Sequence, residues 1–257
     1  MTDWLRHKSP LLLALALFVH GMFLTERVSA IQTESQEEKQ ANLKQQALGG
    51  LFQRWTFDQQ KPEEALGDFA QLVVGGDSAT VWTIGADTQA PSPPNILRAA
   101  SSCQTSSCYH LLITNKLYEY PDVTVRLRFP TEGSVGRGGI VIGVRDERHF
   151  YAAIVDLAAK KLEVVRVLDE QVTVLSETAI ASKAVDWHSL RINRDTIISK
   201  DVIEVFFDGR LMASVQDQTL GLGQVGLIVW GQSPLHFDSL HAVPLFSQRP
   251  VSNPAAY

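Results

Sequence analysis

The sequence predicts an all-β domain in which two antiparallel sheets pack into a sandwich. Residues 123–129 alternate between apolar and polar side chains, which is the period-two pattern of a half-buried strand. Asp208 and Gly209 separate two apolar runs, and an Asp-Gly pair there favours a tight type I′ hairpin turn. Between residues 50 and 246, no ten-residue window carries a convincing helical stripe with caps. Around a dozen short strand signals, separated by Gly and Asp turns, therefore predict a sandwich or barrel.

The individual strands are predicted from short apolar runs that turn residues separate. In chain order the runs are residues 73–74, 81–84, 95–98, 110–114, 123–129, 140–145, 150–156, 162–168, 171–176, 188–193, 202–207, 225–230 and 236–243. Asp169 and Glu170 are expected to turn one hairpin. Trp187 stands directly before an alternating strand, and we expect its side chain to fill the layer between the sheets. Gly223 and Gly226 are expected to let their strand bend and be approached closely.

Residues 1–30 have the organisation of a secretory signal peptide. Residues 6–8 are basic, residues 11–24 form an almost unbroken apolar run, and residues 28–30 supply a small-residue cleavage site. The apolar run is about 14 residues long, whereas a membrane-spanning helix needs about 20. We therefore expect cleavage and a secreted or periplasmic domain, with an uncleaved N-terminal anchor as the alternative.

The rest of the chain divides into a spacer, one domain and a tail. Residues 31–50 are rich in Gln, Glu and Lys and predict a polar spacer that is disordered or weakly helical. Residues 51–246 hold the strand signals, and residues 247–257 predict a disordered tail. The formal charge of −5 argues against nucleic acid or an anionic membrane as a partner, because both need a basic face. No membrane span is expected in the mature chain.

The two cysteines of the sequence are Cys103 and Cys108. In an exported protein the expected state is a local disulfide, which closes a short loop and stabilises the fold by about 2 kcal/mol. The nearby His110 allows two alternatives to a structural disulfide. The three side chains are candidate ligands for copper or zinc, although no fourth ligand stands nearby. The spacing also approaches a haem-attachment pattern, but Tyr109 separates the second cysteine from a histidine that should adjoin it.

Several short motifs follow one another in a recognisable order. They are Gly-Gly-Ile-Val-Ile at 138–142, Arg-Asp at 145–146, His-Phe-Tyr at 149–151, Trp-His-Ser-Leu-Arg-Ile at 187–192, Phe-Phe-Asp-Gly at 206–209, Asp-Gln-Thr at 217–219, Gly-Gln-Val-Gly-Leu at 223–227 and Phe-Asp-Ser-Leu at 237–240. Over about residues 52–244 this order resembles the concanavalin A-like lectin/glucanase superfamily, in particular laminin-G-like and 3-keto-disaccharide hydrolase-like domains. The resemblance implies a jelly roll of two curved sheets, with ligands held on a concave face or its rim loops.

The residues that carry catalysis in those families are not matched here. The glucanases present two glutamates and an aspartate alternating along one strand, and a glycosidase needs such a carboxylate pair. Asp201 and Glu204 are three residues apart, hence on opposite faces of a strand, and Glu163 stands alone between apolar neighbours. Residues 151–156 have alanines and aliphatics where the 3-keto-disaccharide hydrolase-like domains have Glu and Gln. We therefore expect a non-catalytic module that binds a glycan or a protein; the alternative is a divergent carbohydrate-active hydrolase or lyase.

A recognition surface is predicted from aromatic and guanidinium side chains, because sugars bind to both. The candidate ligand-binding residues are Arg145, Tyr151, His149, Trp82, Arg98 and Trp230. The alternative is that both tryptophans belong to the core, that Arg145 is ion-paired and that His149 is a solvated turn residue.

Calcium is the one cofactor that the resemblance implies. Sandwiches of this superfamily often hold an ion through an Asp carboxylate and backbone oxygens, which are ligands that a hard cation prefers. Asp58 lies near the first strand and Asp238 in the last, and terminal strands often pair in this fold. These two residues are therefore the candidate calcium ligands.

Overall fold

The computed structural model of the chain describes residues 52–245, apart from residues 63, 65, 76–80, 102, 104, 106, 132–135, 182, 184 and 198. This part of the chain contains fifteen β-strands and no helix, which confirms the predicted all-β class. None of its residues forms a helix that is long and apolar enough to cross a membrane. The predicted signal peptide (1–30), spacer (31–50) and tail (247–257) lie outside the described residues.

The strands are short and separated mostly by turns. They are β1 (Gln53–Trp55), β2 (Phe69–Val74), β3 (Val81–Ala86), β4 (Asn95–Ala100), β5 (Tyr109–Tyr118), β6 (Pro121–Arg128), β7 (Arg137–Asp146), β8 (His149–Asp156), β9 (Lys161–Leu168), β10 (Gln171–Ala179), β11 (His188–Ile197), β12 (Lys200–Phe207), β13 (Arg210–Gln216), β14 (Gly223–Trp230) and β15 (Pro234–Pro244).

The strands form two sheets in which all pairings are antiparallel. Sheet 1 has the order β13-β12-β11-β6-β15-β4-β3, and β1 also pairs with β15. Sheet 2 has the order β10-β9-β8-β7-β14-β5-β2. Strands that are distant in sequence lie next to each other in both sheets, for example β5 and β14. The two layers form the predicted antiparallel sandwich.

Two hairpins have the turn geometry that the sequence predicts. Asp208 and Gly209 have φ angles of 48° and 77° between β12 and β13, as a type I′ turn requires. Asp169 and Glu170 have φ angles of 48° and 66° between β9 and β10. Oδ1 of Asp208 accepts a hydrogen bond from the backbone of Ser189, and the backbone of Asp208 donates one to the carbonyl of Ser189, so this turn is fixed to β11 as well as to its own strands.

The main core lies between the sheets and follows the predicted alternation. Val123, Val125 and Leu127 of β6 are fully buried and belong to one large apolar cluster with side chains of sheet 2. Trp82 and Phe237 belong to the same cluster, with ring centroids 6.0 Å apart. The alternating strands therefore supply one apolar face each to the layer between the sheets.

Sheet 2 also buries its second face, because the sheet is strongly curved. Tyr109 in β5 and Phe150 in β8 are three strands apart, which alone is about 14 Å on a flat sheet. They also lie toward opposite ends of their strands, since the residue of β8 level with Tyr109 is Asp156. Their ring centroids are nevertheless 5.4 Å apart, and the Tyr109 hydroxyl donates to the carbonyl of Glu147, 2.8 Å away. The second face is therefore concave. It carries its own apolar cluster: Tyr109, Leu111, Ile113, Val141, Val144, Phe150, Ala152, Ile154, Val165, Val167, Ile228 and Trp230.

The prediction that Trp187 fills the layer between the sheets is wrong. His188 pairs with the inward-facing Leu127, so the side chain of Trp187, one residue earlier, points to the opposite face of the sheet. Trp187 is half-buried on the outer side of sheet 1, where the guanidinium carbon of Arg128 lies 4.9 Å from its ring centroid. The inward position is taken by His188, which stacks on Phe207.

We predict that Gly226→Ala destabilises the fold, because β14 is packed closely between β5 and β7. An added Cβ would lie 2.1 Å from the backbone oxygen of Leu112, which belongs to a hydrogen-bonded strand and cannot move aside alone. Urea unfolding should show a loss of about 1–3 kcal/mol. Gly221→Ala is the matched control, since its Cβ meets nothing within 4 Å. Equal stability of the two variants would contradict the close packing.

Candidate functional site

One end of sheet 2 carries a row of aromatic and charged side chains. The row runs from Tyr109 through Trp230, Arg137 and Asp156 to Lys161, each directly opposite the next on neighbouring strands. Directly opposed residues share a face of the sheet. Tyr109 and Trp230 belong to the apolar cluster of the concave face, so the charged members of the row lie on that face too.

Glu163 is a buried carboxylate on the same face, two residues along β9 from Lys161. It is 4% exposed, and its Oε2 accepts a hydrogen bond from Nη2 of Arg137 at 2.5 Å. Its Oε1 accepts from Nζ of Lys161 at 2.8 Å. Burial raises the pKa of Glu163, but the hydrogen bond from Lys161 and the charge of Arg137 outweigh it, and the net pKa is lowered. Glu163 is therefore ionised at neutral pH.

Arg137 stands at the centre of the row and has hydrogen-bonding capacity left over. Its Nη2 is used by Glu163, and its Nε lies 3.8 Å from Oδ2 of Asp156, beyond hydrogen-bonding distance. The guanidinium carbon lies 5.2 Å from the ring centroid of Trp230. Within the described part of the chain, Nε of Arg137 is a buried donor with no hydrogen-bond partner. The rest of the side chain is accessible, since Arg137 is 30% exposed.

Arg137, Asp156 and Trp230 line a pocket of about 380 Å³. Pockets that bind small ligands have volumes of roughly 300–1,000 Å³, so this one is at the small end. The other residues that line it are Cys103, Thr105, Gly136, Ala158, Ala159, Gly231 and Gln232. The pocket therefore combines an aromatic ring, a guanidinium and a carboxylate in a space for a small polar ligand.

The predicted disulfide joins Cys103 to Cys108 and shapes one wall of this pocket. The carbonyl of Cys108 accepts a hydrogen bond from the backbone of Gly231, 2.8 Å away. Nearby, the backbone of Ser101 donates to the carbonyl of Ser233. Both bonds attach the cysteine loop to the connection that follows Trp230, so the wall and the aromatic ring are held together.

Of the ligand-binding residues predicted from sequence, the structure places Trp230 in the pocket. Arg145 is exposed near the other end of β7. Tyr151 is fully buried in the main core, and its hydroxyl donates to Oδ1 of Asp217 at 2.6 Å. His149 lies at the β7–β8 turn, with Nδ1 2.8 Å from Oδ1 of Asp146. The structure thus separates Arg145, which lies on the surface, from Tyr151, which lies in the main core.

Trp82 and Arg98 lie on sheet 1 and not beside Trp230. Trp82 packs in the main core against Phe237. Arg98 donates from Nη2 to the carbonyl of Ala86, at 2.8 Å, and extends over the neighbouring strand β3. Neither residue is brought near the pocket of sheet 2.

Asp58 and Asp238, the predicted calcium ligands, do lie close together. Ser92 joins them: its backbone donates to Oδ2 of Asp238 at 2.6 Å and its hydroxyl to Oδ2 of Asp58 at 2.9 Å. Burial raises the pKa of Asp238, and the negative charge of Asp58 adds to this. Among the described residues, neither carboxylate forms a salt bridge. Their other carboxylate oxygens accept hydrogen bonds from the backbone of Asn95 and of Ser239. Calcium binding stays a prediction.

Sequence reasoning missed the charged members of the row. Glu163 looks isolated in the sequence because its partner Arg137 lies on another strand, 26 positions away. The available signal was a carboxylate inside an apolar strand, two positions from Lys161. Such a residue must find cations if it is buried. The sequence does not show which arginine that will be, because the pairing of β7 with β8 and of β8 with β9 decides it.

No protein-family model matches the sequence, and no curated protein is significantly similar to it. Among solved structures, the carbohydrate-binding module CBM66 from Bacillus subtilis matches 64% of this chain and 94% of its own, with a TM-score of 0.53 and 15% identity. The carbohydrate recognition domain of Emp47p matches 76% of this chain and 97% of its own, with a TM-score of 0.51 and 8% identity. At such identities the likeness establishes the fold alone. That fold is the concanavalin A-like jelly roll, as the motif order predicted.

We predict that Glu163→Gln destabilises the protein at pH 7, because it removes the buried charge that pairs with Arg137 and Lys161. The expected loss in urea unfolding is about 1.5–3 kcal/mol. Glu177→Gln is the matched control, since Glu177 also pairs with Lys161 but is exposed, and it should cost less than about 1 kcal/mol.

The same pair of variants gives a pH test. A carboxyl whose pKa is lowered on folding stabilises the protein only above its unfolded pKa, which is 4.5 for Glu163. The difference between the wild type and Glu163→Gln should therefore shrink as the pH falls below 4.5. A difference that stays constant from pH 7 to pH 3 would contradict an ionised Glu163.

Proposed function

We propose that the protein is a carbohydrate-binding module and that it holds a sugar in the pocket formed by Arg137, Asp156 and Trp230. The observation that carries the proposal is the guanidinium of Arg137, on a side chain that is 30% exposed, beside the aromatic ring of Trp230 in one pocket. A sugar presents hydroxyl oxygens to such a donor and C–H groups to such a ring. Both similar structures are named for carbohydrate binding, which supports the same ligand class.

The charges of the site favour a neutral sugar over an acidic one. Arg137 and Lys161 are the two cations, whereas Asp156, Glu163 and Glu177 are three carboxylates that pair with them. The cations are thus already neutralised, and an added anionic group would meet an excess of negative charge. Oδ1 of Asp156 accepts a hydrogen bond from the backbone of Ala159, and the carboxylate can accept a further one from a sugar hydroxyl while Arg137 donates to another.

The volume of the pocket limits the ligand to one or two sugar rings. At about 380 Å³ it is too small to enclose a long oligosaccharide. The disulfide loop and the turn containing Ala158 and Ala159 border it. We therefore expect recognition of the end of a glycan chain, or of a short side branch, and affinity that does not grow with chain length.

Two carboxylates around one arginine also raise the possibility of glycoside cleavage, which is the alternative function. Glycosidases of this kind need one carboxyl group that is protonated and acts as the acid. The pKa of Glu163 is lowered and not raised, because Lys161 and Arg137 hold it in its charged form. This favours binding without cleavage. Release of reducing ends from a bound glycan, lost in both Asp156→Asn and Glu163→Gln, would establish the enzyme instead.

We also propose that the domain is exported and is secreted or periplasmic. The basic and apolar organisation of residues 1–30 and the disulfide support it. Intact-mass analysis of protein recovered outside the cytoplasm should show a chain that begins after residue 30. A chain that keeps its first residues would indicate the uncleaved anchor.

The binding experiment is a glycan array followed by calorimetry on the best ligand, with and without calcium. Arg137→Gln should weaken binding about 10- to 100-fold, as expected for the loss of a hydrogen bond from a charged donor. Arg145→Gln is the matched control, because Arg145 is an exposed arginine on the same strand at its other end. Loss of binding in Arg145→Gln alone would move the site to that end. No glycan binding at all would favour a protein ligand.

A further inference from the structure

Three potential metal ligands meet beside the sugar pocket. Nε2 of His110 lies 3.0 Å from Sγ of Cys103 and 3.8 Å from Sγ of Cys108. The three side chains are buried, with exposures of 1%, 4% and 1%. Within the described part of the chain, they form the one group of three His, Cys, Asp or Glu residues whose ligand atoms lie within 4.8 Å of one another.

The distances suit a cation once the sulfur–sulfur bond is broken. Metal–sulfur bonds of about 2.3 Å and metal–nitrogen bonds of about 2.0–2.1 Å place sulfur and nitrogen about 3.6–3.8 Å apart in trigonal or tetrahedral geometry. Sγ of Cys108 already lies at this separation from Nε2 of His110, and Sγ of Cys103 needs to lie roughly 0.5–0.8 Å farther from it. The two sulfurs, which are bonded in the disulfide, also have to move apart to about 3.8–4.0 Å. The Cα atoms of the cysteines are 5.7 Å apart, so rotation of the side chains separates the sulfurs without moving the backbone.

We propose that, after reduction of the disulfide, Cys103, Cys108 and His110 form a binding site for a soft cation, Cu(I) or Zn(II). Thiolates select these ions over hard cations, and imidazole suits both. The three-ligand set completes a trigonal Cu(I) site, whereas on Zn(II) it leaves a fourth position open. Cys103 also lines the pocket, which gives a reductant and a cation a route to the sulfurs.

The chemistry balances with a dithiol as the reductant. One thiolate of the dithiol attacks a sulfur of the Cys103–Cys108 bond and releases the other cysteine as a thiolate. The second thiolate of the dithiol then attacks its own sulfur in the mixed disulfide and releases the remaining cysteine. The dithiol leaves as a disulfide, having given two electrons, and two protons end on the two cysteine sulfurs. The cation then displaces those two protons when it binds, so metal affinity should rise with pH.

The test uses the full chain, reduced with a phosphine under anaerobic conditions and compared with the oxidised protein. Co(II) serves as a visible probe through its thiolate charge-transfer band, Zn(II) is measured by competition with it, and Cu(I) by competition with a chromophoric chelator. The reduced protein should bind one equivalent, and the oxidised protein should bind at least 100-fold more weakly. Equal affinity of the two forms would overturn the proposal, and the Zn(II) and Cu(I) arms decide which cation is preferred.

Variants separate this site from a simple dithiol. Cys103→Ser with Cys108→Ser should abolish binding, and His110→Gln should weaken it at least about 10-fold, since even outer ligand partners contribute that much. His149→Gln is the matched control at an exposed turn. Unchanged affinity in His110→Gln would overturn the three-ligand site. If that variant fails to fold, X-ray absorption of the metal-loaded wild type decides: two sulfurs and one nitrogen support the site, and sulfur alone overturns it.

Discussion

The burial of apolar side chains on both faces of sheet 2 is the constraint on which the rest of the structure depends. One face packs against sheet 1, and the other closes upon itself because the sheet curves until Tyr109 reaches Phe150 and the β7–β8 turn. An apolar face that is closed in this way has no water for a charged group in its middle. Charged side chains are therefore confined to the strand ends, and the row that contains Arg137 lies at one such end.

The pairing of Glu163 with two cations follows from this constraint. A carboxylate that is 4% exposed would be strongly destabilising alone, and Lys161 and Arg137 offset the loss of its hydration. The pairing uses one nitrogen of the guanidinium and leaves Nε unmatched. The same contacts that stabilise the buried charge thus fix the orientation of Arg137, whose side chain is 30% exposed at the pocket. They also keep the pKa of Glu163 low, so that its carboxylate is ionised at neutral pH.

A structural feature could be predicted from the sequence where it depends on residues that are close together in the chain. The alternation in β6 and the Asp208–Gly209 turn are local, and both were confirmed. The position of Trp187 was predicted wrongly because successive residues of a strand point to opposite faces of the sheet. A difference of one position therefore moves a side chain from the core to the outer surface. Glu163 and its partners were missed, since they lie on strands whose register only the folded sheet defines. The curvature that makes the second face concave is likewise a property of seven strands together.

The disulfide loop contributes little to the stability of the whole fold, but it constrains the pocket locally. Closing so short a loop removes little entropy from the unfolded chain, about 2 kcal/mol at most. The loop is, however, hydrogen-bonded through Cys108 to Gly231, the residue that follows the pocket's tryptophan. The pocket wall formed by the loop is therefore connected directly to the residue next to Trp230, so the disulfide also constrains the geometry of the pocket. Since His110 faces both sulfurs from β5, the pocket wall also adjoins the one cluster of soft ligands that the described residues contain.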